Sequence, residues 1–141
     1  MDADALLLRV RRGELEGAGS WIYAWLRCEG DRKVVYVGST GLHPATRAWL
    51  HLNDPDPAIG RVAARLPGVA TEPLDVLALR LPPHVSRQDA KAALIERLAE
   101  LDLLSPDYAG DSPLPVGEVA AECVVQVDLL ADRVEAHRAG S

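Results

Sequence analysis

Two early stretches of the chain are continuous apolar runs short enough to be strands. Trp21-Ile22-Tyr23-Ala24-Trp25-Leu26 and Val34-Val35-Tyr36-Val37 are rich in aromatic and branched residues, and a turn containing Gly30-Asp31 separates them. An antiparallel hairpin follows, with a loop of about five or six residues and Gly38 ending its second strand. Leu74 to Leu81, held between Pro73 and Pro82-Pro83, predicts a third strand. The helical pattern begins at Pro44, placed in a first turn where its missing N–H costs nothing, and runs to about Leu52, where Asn53-Asp54-Pro55-Asp56-Pro57 stops it. A second short helix spans about 58–66 and closes at Pro67-Gly68. A third, over about 87–104, is announced by Ser86 with Asp89 three residues on, as in a capping box, and ends before Ser105-Pro106. Residues 2–12 fit a short helix or a strand, and Glu14 to Ser20 reads as a glycine-containing loop. Past Ser105 comes a Pro/Gly-rich stretch. From Val119 to Val134 the strand-favouring Val124-Val125-Gln126-Val127 meets the helix-favouring Leu129-Leu130-Ala131-Asp132-Arg133-Val134, and both readings stand. The order strand, strand, helix, helix, strand, helix describes a small α/β (α+β) domain built round an antiparallel hairpin.

Length agrees with a single domain over 1–141, large enough to bury roughly 70% of its unfolded surface without disulfides or a structural metal. Cys28 and Cys123 are too few and too far apart for a disulfide framework or a zinc site. No apolar run is long enough to span a membrane, and the acidic opening Met1-Asp2-Ala3-Asp4 does not resemble a secretory signal. A cytoplasmic protein is the expectation. The formal net charge of −6 argues at first against nucleic acid. The charge is uneven, however: residues 1–70 hold nine basic and eight acidic side chains (+1), and residues 71–141 hold six and thirteen (−7). A local patch attracts phosphate over a Debye length of about 8–10 Å whatever the total.

Several side chains stand out on this skeleton. Tyr23 and Tyr36 lie on neighbouring strands, where two phenols can share a face; they can equally be ordinary strand tyrosines. Gly38-Ser39-Thr40-Gly41 precedes a helix, so its backbone can approach an anion, or it is simply a turn. Arg47 and His51 are four residues apart on one helix face. A permanent guanidinium beside a group titrating near neutrality suits a phosphodiester, although a solvated helix face needs no such reading. Glu96 has Ala92, Ala99 and Leu103 as its helical neighbours, an expensive setting for an unpaired carboxylate, unless it joins Glu100 on an exposed acidic edge.

Together these residues carry a resemblance. Trp21-Ile22-Tyr23, then Tyr36-Val37-Gly38-Ser39-Thr40, then Arg47-x-x-x-His51, then Leu94-Ile95-Glu96-Arg97 resembles, in order and spacing, the GIY-YIG nuclease domain over residues 20–108. Residues 109–141 form a C-terminal extension outside it. The resemblance implies a three-stranded antiparallel sheet flanked by helices, and metal-dependent hydrolysis of DNA phosphodiesters. By position, it makes Tyr23 the tyrosine that helps activate water, with Tyr36 as its partner. Arg47 would stabilise phosphate charge, and His51 would hydrogen-bond within the site and assist proton transfer. Glu96 would bind one Mg²⁺ (or Mn²⁺), a hard ion content with one carboxylate, waters and phosphate oxygens. Gly38, Ser39, Thr40 and the nearby His43 would line the substrate, whereas His84 and His137 are expected at the surface.

Three departures bear on activity. Trp21 stands where the family has glycine, the loop 105–110 offers Asp107 but no Asn, and the second half is acidic. The expected partner is DNA, bound weakly and salt-sensitively, with a targeting protein as a further expectation. The alternative is an inactive GIY-YIG-like module that binds nucleic acid or a protein. Geometry discriminates between them, because the nuclease reading requires Glu96 to face the two tyrosines.

Overall fold

The computed structural model describes residues 5–17, 19–112 and 121–140. The expectations placed on residues 2–4 and 113–120, Val119 included, lie outside the described residues. A small hairpin comes first. β1 (Val10–Arg11) pairs antiparallel with β2 (Glu14–Leu15). Arg12 and Gly13 between them have φ of 55° and 79°, the handedness a two-residue hairpin turn requires. The loop expected from Glu14 is therefore partly strand. The sequence gives little sign of this turn, because Arg12 occupies a left-handed position that more often goes to Asn or Gly.

The main sheet has the order β4-β3-β5 and is antiparallel throughout. β3 (Trp21–Arg27) is its centre, flanked by β4 (Val34–Thr40) and β5 (Leu74–Arg80). β4 does not stop at Gly38 but continues to Thr40. Gly38 sits opposite Tyr23, and a Cβ there would collide with the Tyr23 ring and hydroxyl. The glycine seats a side chain rather than making a turn. Between Trp25 and Leu26 the register shifts, so that Trp25 faces Tyr36 and Leu26 faces Val34. Val35 is left as the extra residue of a bulge. Val34 and Val37 thereby join one face of the sheet, and Val35 and Tyr36 the other.

Among the described residues four helices clothe the sheet: α1 (Pro44–Asn53), α2 (Arg61–Arg65), α3 (Arg87–Glu100) and α4 (Ala121–Ala139). α2 starts later than expected because the N–H groups of Ile59 and Gly60 both bond to the Asp56 carbonyl, a turn that occupies the residues before it. α3 starts as expected, with the Asp89 N–H donating to the Ser86 hydroxyl at 3.3 Å. It stops short of residue 104. Asp102 is left-handed (φ 56°), and the N–H groups of Asp102 and Leu103 bond back to Ala99 and Leu98, a Schellman ending. Leu103 and Leu104, which extend the apolar pattern, instead run beside β4, Leu104 bridging to Val34, and protect part of its edge.

The segment that read both ways from Val119 is helical across 121–139. Cys123, Val127, Leu130, Ala131 and Val134 are buried at helical spacing, while Val124 and Val125 point outward. These residues share one core with Ile22, Leu26, Leu94 and Leu98. None of the described helices is long and apolar enough to cross a membrane.

Candidate functional site

The face of the sheet turned away from α3 and α4 carries the aromatic residues, and α1 delivers a histidine onto them. Pro44 occupies the first turn, and the His43 Nδ1 caps the helix by accepting from the Ala45 N–H at 3.2 Å. Two turns on, His51 is completely buried. The rings of Tyr36, Tyr23 and Trp25 surround it edge-on at centroid distances of 4.9, 5.7 and 5.8 Å. Its Nε2 lies 2.6 Å from the Tyr23 hydroxyl. His51 therefore reaches solvent-facing chemistry only through Tyr23.

Burial, reinforced by the charges of Arg47, Arg61 and Arg65, pushes the His51 imidazole down to about 3. Burial likewise pushes the Tyr23 phenol up, with Tyr36 adding to it and Arg47 opposing. Both groups are neutral at physiological pH, and one hydrogen bond joins them.

Above this pair opens a cleft of about 680 Å³. Tyr23, Tyr36 and the β4 residues Gly38, Ser39 and Thr40 make one wall. The remaining walls carry four cations: Arg47 from α1, Arg61 from the first residue of α2, and Arg87 and Lys91 one turn apart on α3. Each is positioned. Arg47 donates to the Ile59 carbonyl at 2.9 Å, and Arg61 donates to that of Ala58 at 3.0 Å. A hydrogen bond to Tyr36 makes the Arg61 guanidinium hold its proton more tightly. Arg87 lies against Gly41, and the Lys91 Nζ is 2.7 Å from Asp111 Oδ2. No Asp or Glu among the described residues lines the cleft.

The structure thus gathers Tyr23, Tyr36, Arg47 and His51, with Gly38, Ser39 and Thr40 beside them. His43 is exposed and engaged in capping, and it does not line the cleft. Glu96 is also not brought in. At about 100° per residue it lies roughly 140° round α3 from Lys91, exposed, while Leu94, Ile95 and Leu98 turn into the core. Trp21 does not line the cleft either; its ring lies 5.0 Å beneath the Arg80 guanidinium and 6.1 Å from His43. Asp107 accepts from Arg27 at 2.6 Å, in a network with Asp31, Glu72 and Ser105. His137 bonds to Asp75 at 2.7 Å. Arg61, Arg87 and Lys91 escaped sequence reasoning, although Arg87 and Lys91 show the same four-residue spacing that singled out Arg47 and His51.

A divalent ion fits this cleft poorly. Mg²⁺ and Mn²⁺ seek carboxylate oxygens, and the walls offer guanidinium and ammonium groups. Among the described residues no three His, Cys, Asp or Glu side chains group to hold an ion. Asp111, beside the cleft, is already committed to Lys91 and lies 3.8 Å from Arg65. The arrangement suits a phosphate, which four cations and a row of small β4 residues can approach closely. Comparison with protein-family models, with curated proteins and with solved structures finds no match to this chain.

Proposed function

We propose that the cleft binds the phosphodiester backbone of DNA, as a GIY-YIG-like module. One observation carries the reading: Arg47, Arg61, Arg87 and Lys91, from three separate helices, converge on the two tyrosines. Local positive charge is what phosphate contact needs, and it coexists with a net charge of −6 because no Asp or Glu among the described residues lines the cleft. The overall negative charge makes the binding weak and steeply salt-dependent. Fluorescence anisotropy with labelled single-stranded, duplex and branched DNA at low salt tests it. The expected result is binding that weakens as salt rises and is lost in the Arg47→Ala/Arg61→Ala double variant. No binding to any of these probes would overturn it.

Endonucleolytic hydrolysis is the second reading, favoured by the 2.6 Å Tyr23–His51 hydrogen bond beside Arg47. A water attacking phosphorus would pass its proton to the Tyr23 oxygen as the phenolic proton moves to His51 Nε2. The leaving sugar oxygen takes a proton from solvent, and Arg47 balances the charge developing on the phosphate. Burial is the main cause that depresses the imidazole, and phosphate in the cleft would offset only the further contribution of Arg47, Arg61 and Arg65. Glu96, expected as the ligand of Mg²⁺ or Mn²⁺, is turned away from the tyrosines, so the metal-dependent GIY-YIG reaction that requires it there is not the step proposed, and this hydrolysis runs without a metal ion. Nicking of supercoiled plasmid that disappears in Tyr23→Phe supports hydrolysis. Binding without nicking leaves the module a binder only.

A further inference from the structure

We infer that Lys91, and not a divalent ion, balances the phosphate charge on the α3 side of the cleft, so that DNA binding is metal-independent. This rests on the reading of the cleft as a DNA-phosphate site.

The first turns of α3 line the cleft that holds Tyr23 and Tyr36. Ser86 fixes where α3 begins, and that register aims Arg87 and Lys91 at the cleft and Glu96 away from it. An ion on this side would need an oxygen ligand from α3. That side supplies no carboxylate, only the neutral oxygens of Ser86 and Gln88 beside the charges of Arg87 and Lys91, and a cation beside a cation site repels its occupant. Lys91 is also not a loosely placed surface lysine. Its side chain is about four-fifths buried (20% exposed) and tied at 2.7 Å to Asp111.

The Asp111 carboxylate is itself held as an anion, chiefly by the Lys91 hydrogen bond, with Arg61 and Arg65 contributing. An oxyanion beside the cleft thus already interacts with Lys91, Arg61 and Arg65 at once. Asp111 serves as the resting counter-ion, and a DNA phosphate can take over its share of Lys91. Lys91 and Arg87 then contact successive oxygens of the backbone from one side, and Arg47 and Arg61 from the other.

The test uses the full chain and a fluorescent DNA oligonucleotide, titrated in EDTA and then in Mg²⁺. Binding in EDTA should equal binding in Mg²⁺, apart from the effect of ionic strength. Lys91→Ala and the milder Lys91→Gln should each weaken it about tenfold and lower the slope of log K against log salt by about one. Lys33→Ala, which removes the chain's other lysine from an ion pair with exposed Asp102, is the charge-matched control and should change affinity little. Asp111→Asn should tighten binding. Lys91→Glu should abolish binding in EDTA and recover part of it when Mg²⁺ is added. Circular dichroism confirms that each variant is folded. Binding that EDTA abolishes, or that Lys33→Ala weakens as much as Lys91→Ala, overturns this inference alone. Failure of the wild type to bind any DNA overturns the reading of the cleft beneath it.

Discussion

Alternate residues of β3 enter two different environments. Ile22, Ala24 and Leu26 point into an aliphatic core shared with α3 and α4, while Tyr23 and Trp25 point toward α1 and α2, around a buried histidine and under a cationic cleft. The first face holds the molecule together through apolar burial. The second includes Tyr23, Trp25, Tyr36 and His51, each with a polar atom whose environment has to be arranged. A strand's two-residue period lets one segment serve both purposes, since every second side chain leaves for the opposite face. Substitutions on the two faces should therefore fail differently.

The largest effect belongs to the aliphatic face. Leu94 is fully buried between sheet and α4, and Leu94→Ala should cost about 2–5 kcal/mol in urea or guanidinium unfolding. Whatever fraction stays folded should bind DNA as the wild type does. A loss of affinity beyond the loss of folded protein would show that the faces are coupled.

The second effect belongs to the aromatic face and depends on pH. The buried His51 has its folded-state value depressed to about 3 from an ordinary 6.5, so between those limits the unfolded chain binds the extra proton. Stability therefore rises with pH through this window and falls on acidification from about pH 6.5, at up to about 1.4 kcal/mol per pH unit. Denaturation midpoints measured from pH 7 down to pH 5 should show that slope, and His51→Leu should flatten it. The carboxylates held low, Asp75 chiefly by its His137 hydrogen bond and Asp111 chiefly by Lys91, lose their contribution only below about pH 4, outside this range. An unchanged slope in His51→Leu would mean that the imidazole is not the titrating group.

How far each face could be read from sequence follows from the same contrast. The strands of the aliphatic face announce themselves by apolar content, and the helices that cover it by caps and breakers such as Ser86 and Pro106. α4 stayed open because Val124 and Val125 imitate a strand locally; the buried stripe Cys123, Val127, Leu130, Val134 becomes decisive only when something is there to pack against it. On the aromatic face, Tyr23, Tyr36, Arg47 and His51 each have an ordinary reading taken singly, and only the GIY-YIG-like order of motifs joins them as a set. Glu96 was singled out for its apolar neighbours, yet helical neighbours along one face do not say which way that face turns. α3 buries Leu94, Ile95 and Leu98, and this choice sends Glu96 to solvent and Lys91 into the cleft. The orientation of α3, set by its buried side chains, is what decides that Lys91 and not Glu96 lines the cleft.

Gly38→Ala acts where the two readings of glycine part company. A turn glycine without positive φ would tolerate alanine, whereas a glycine that seats Tyr23 cannot, because the new methyl enters the phenol ring. The ring must move, and overpacking of this kind costs about 1–3 kcal/mol. Moving it also breaks the 2.6 Å bond to His51. The expected signature is a modest fall in unfolding free energy together with a larger loss of DNA affinity, read by anisotropy. Equal affinity in Gly38→Ala would detach Tyr23 from the binding surface.

The smallest effect on stability, and the sharpest separation of the two faces, comes from Arg87→Ala. Arg87 is exposed at the first turn of α3, where a cation opposes the helix dipole, so its removal should leave stability within about 0.5 kcal/mol. The same guanidinium lies against Gly41 in the wall of the cleft, and in the proposed binding reading it is one of the four cations that contact phosphate. Its loss should weaken DNA binding uniformly across sequences and reduce the salt slope by about one. A residue that contributes to binding and not to folding is what a cleft built on a separately stabilised sheet should contain. If Arg87→Ala instead lowers stability as much as affinity, the cationic wall is part of the structural frame, and the division between the two faces of β3 loses its meaning.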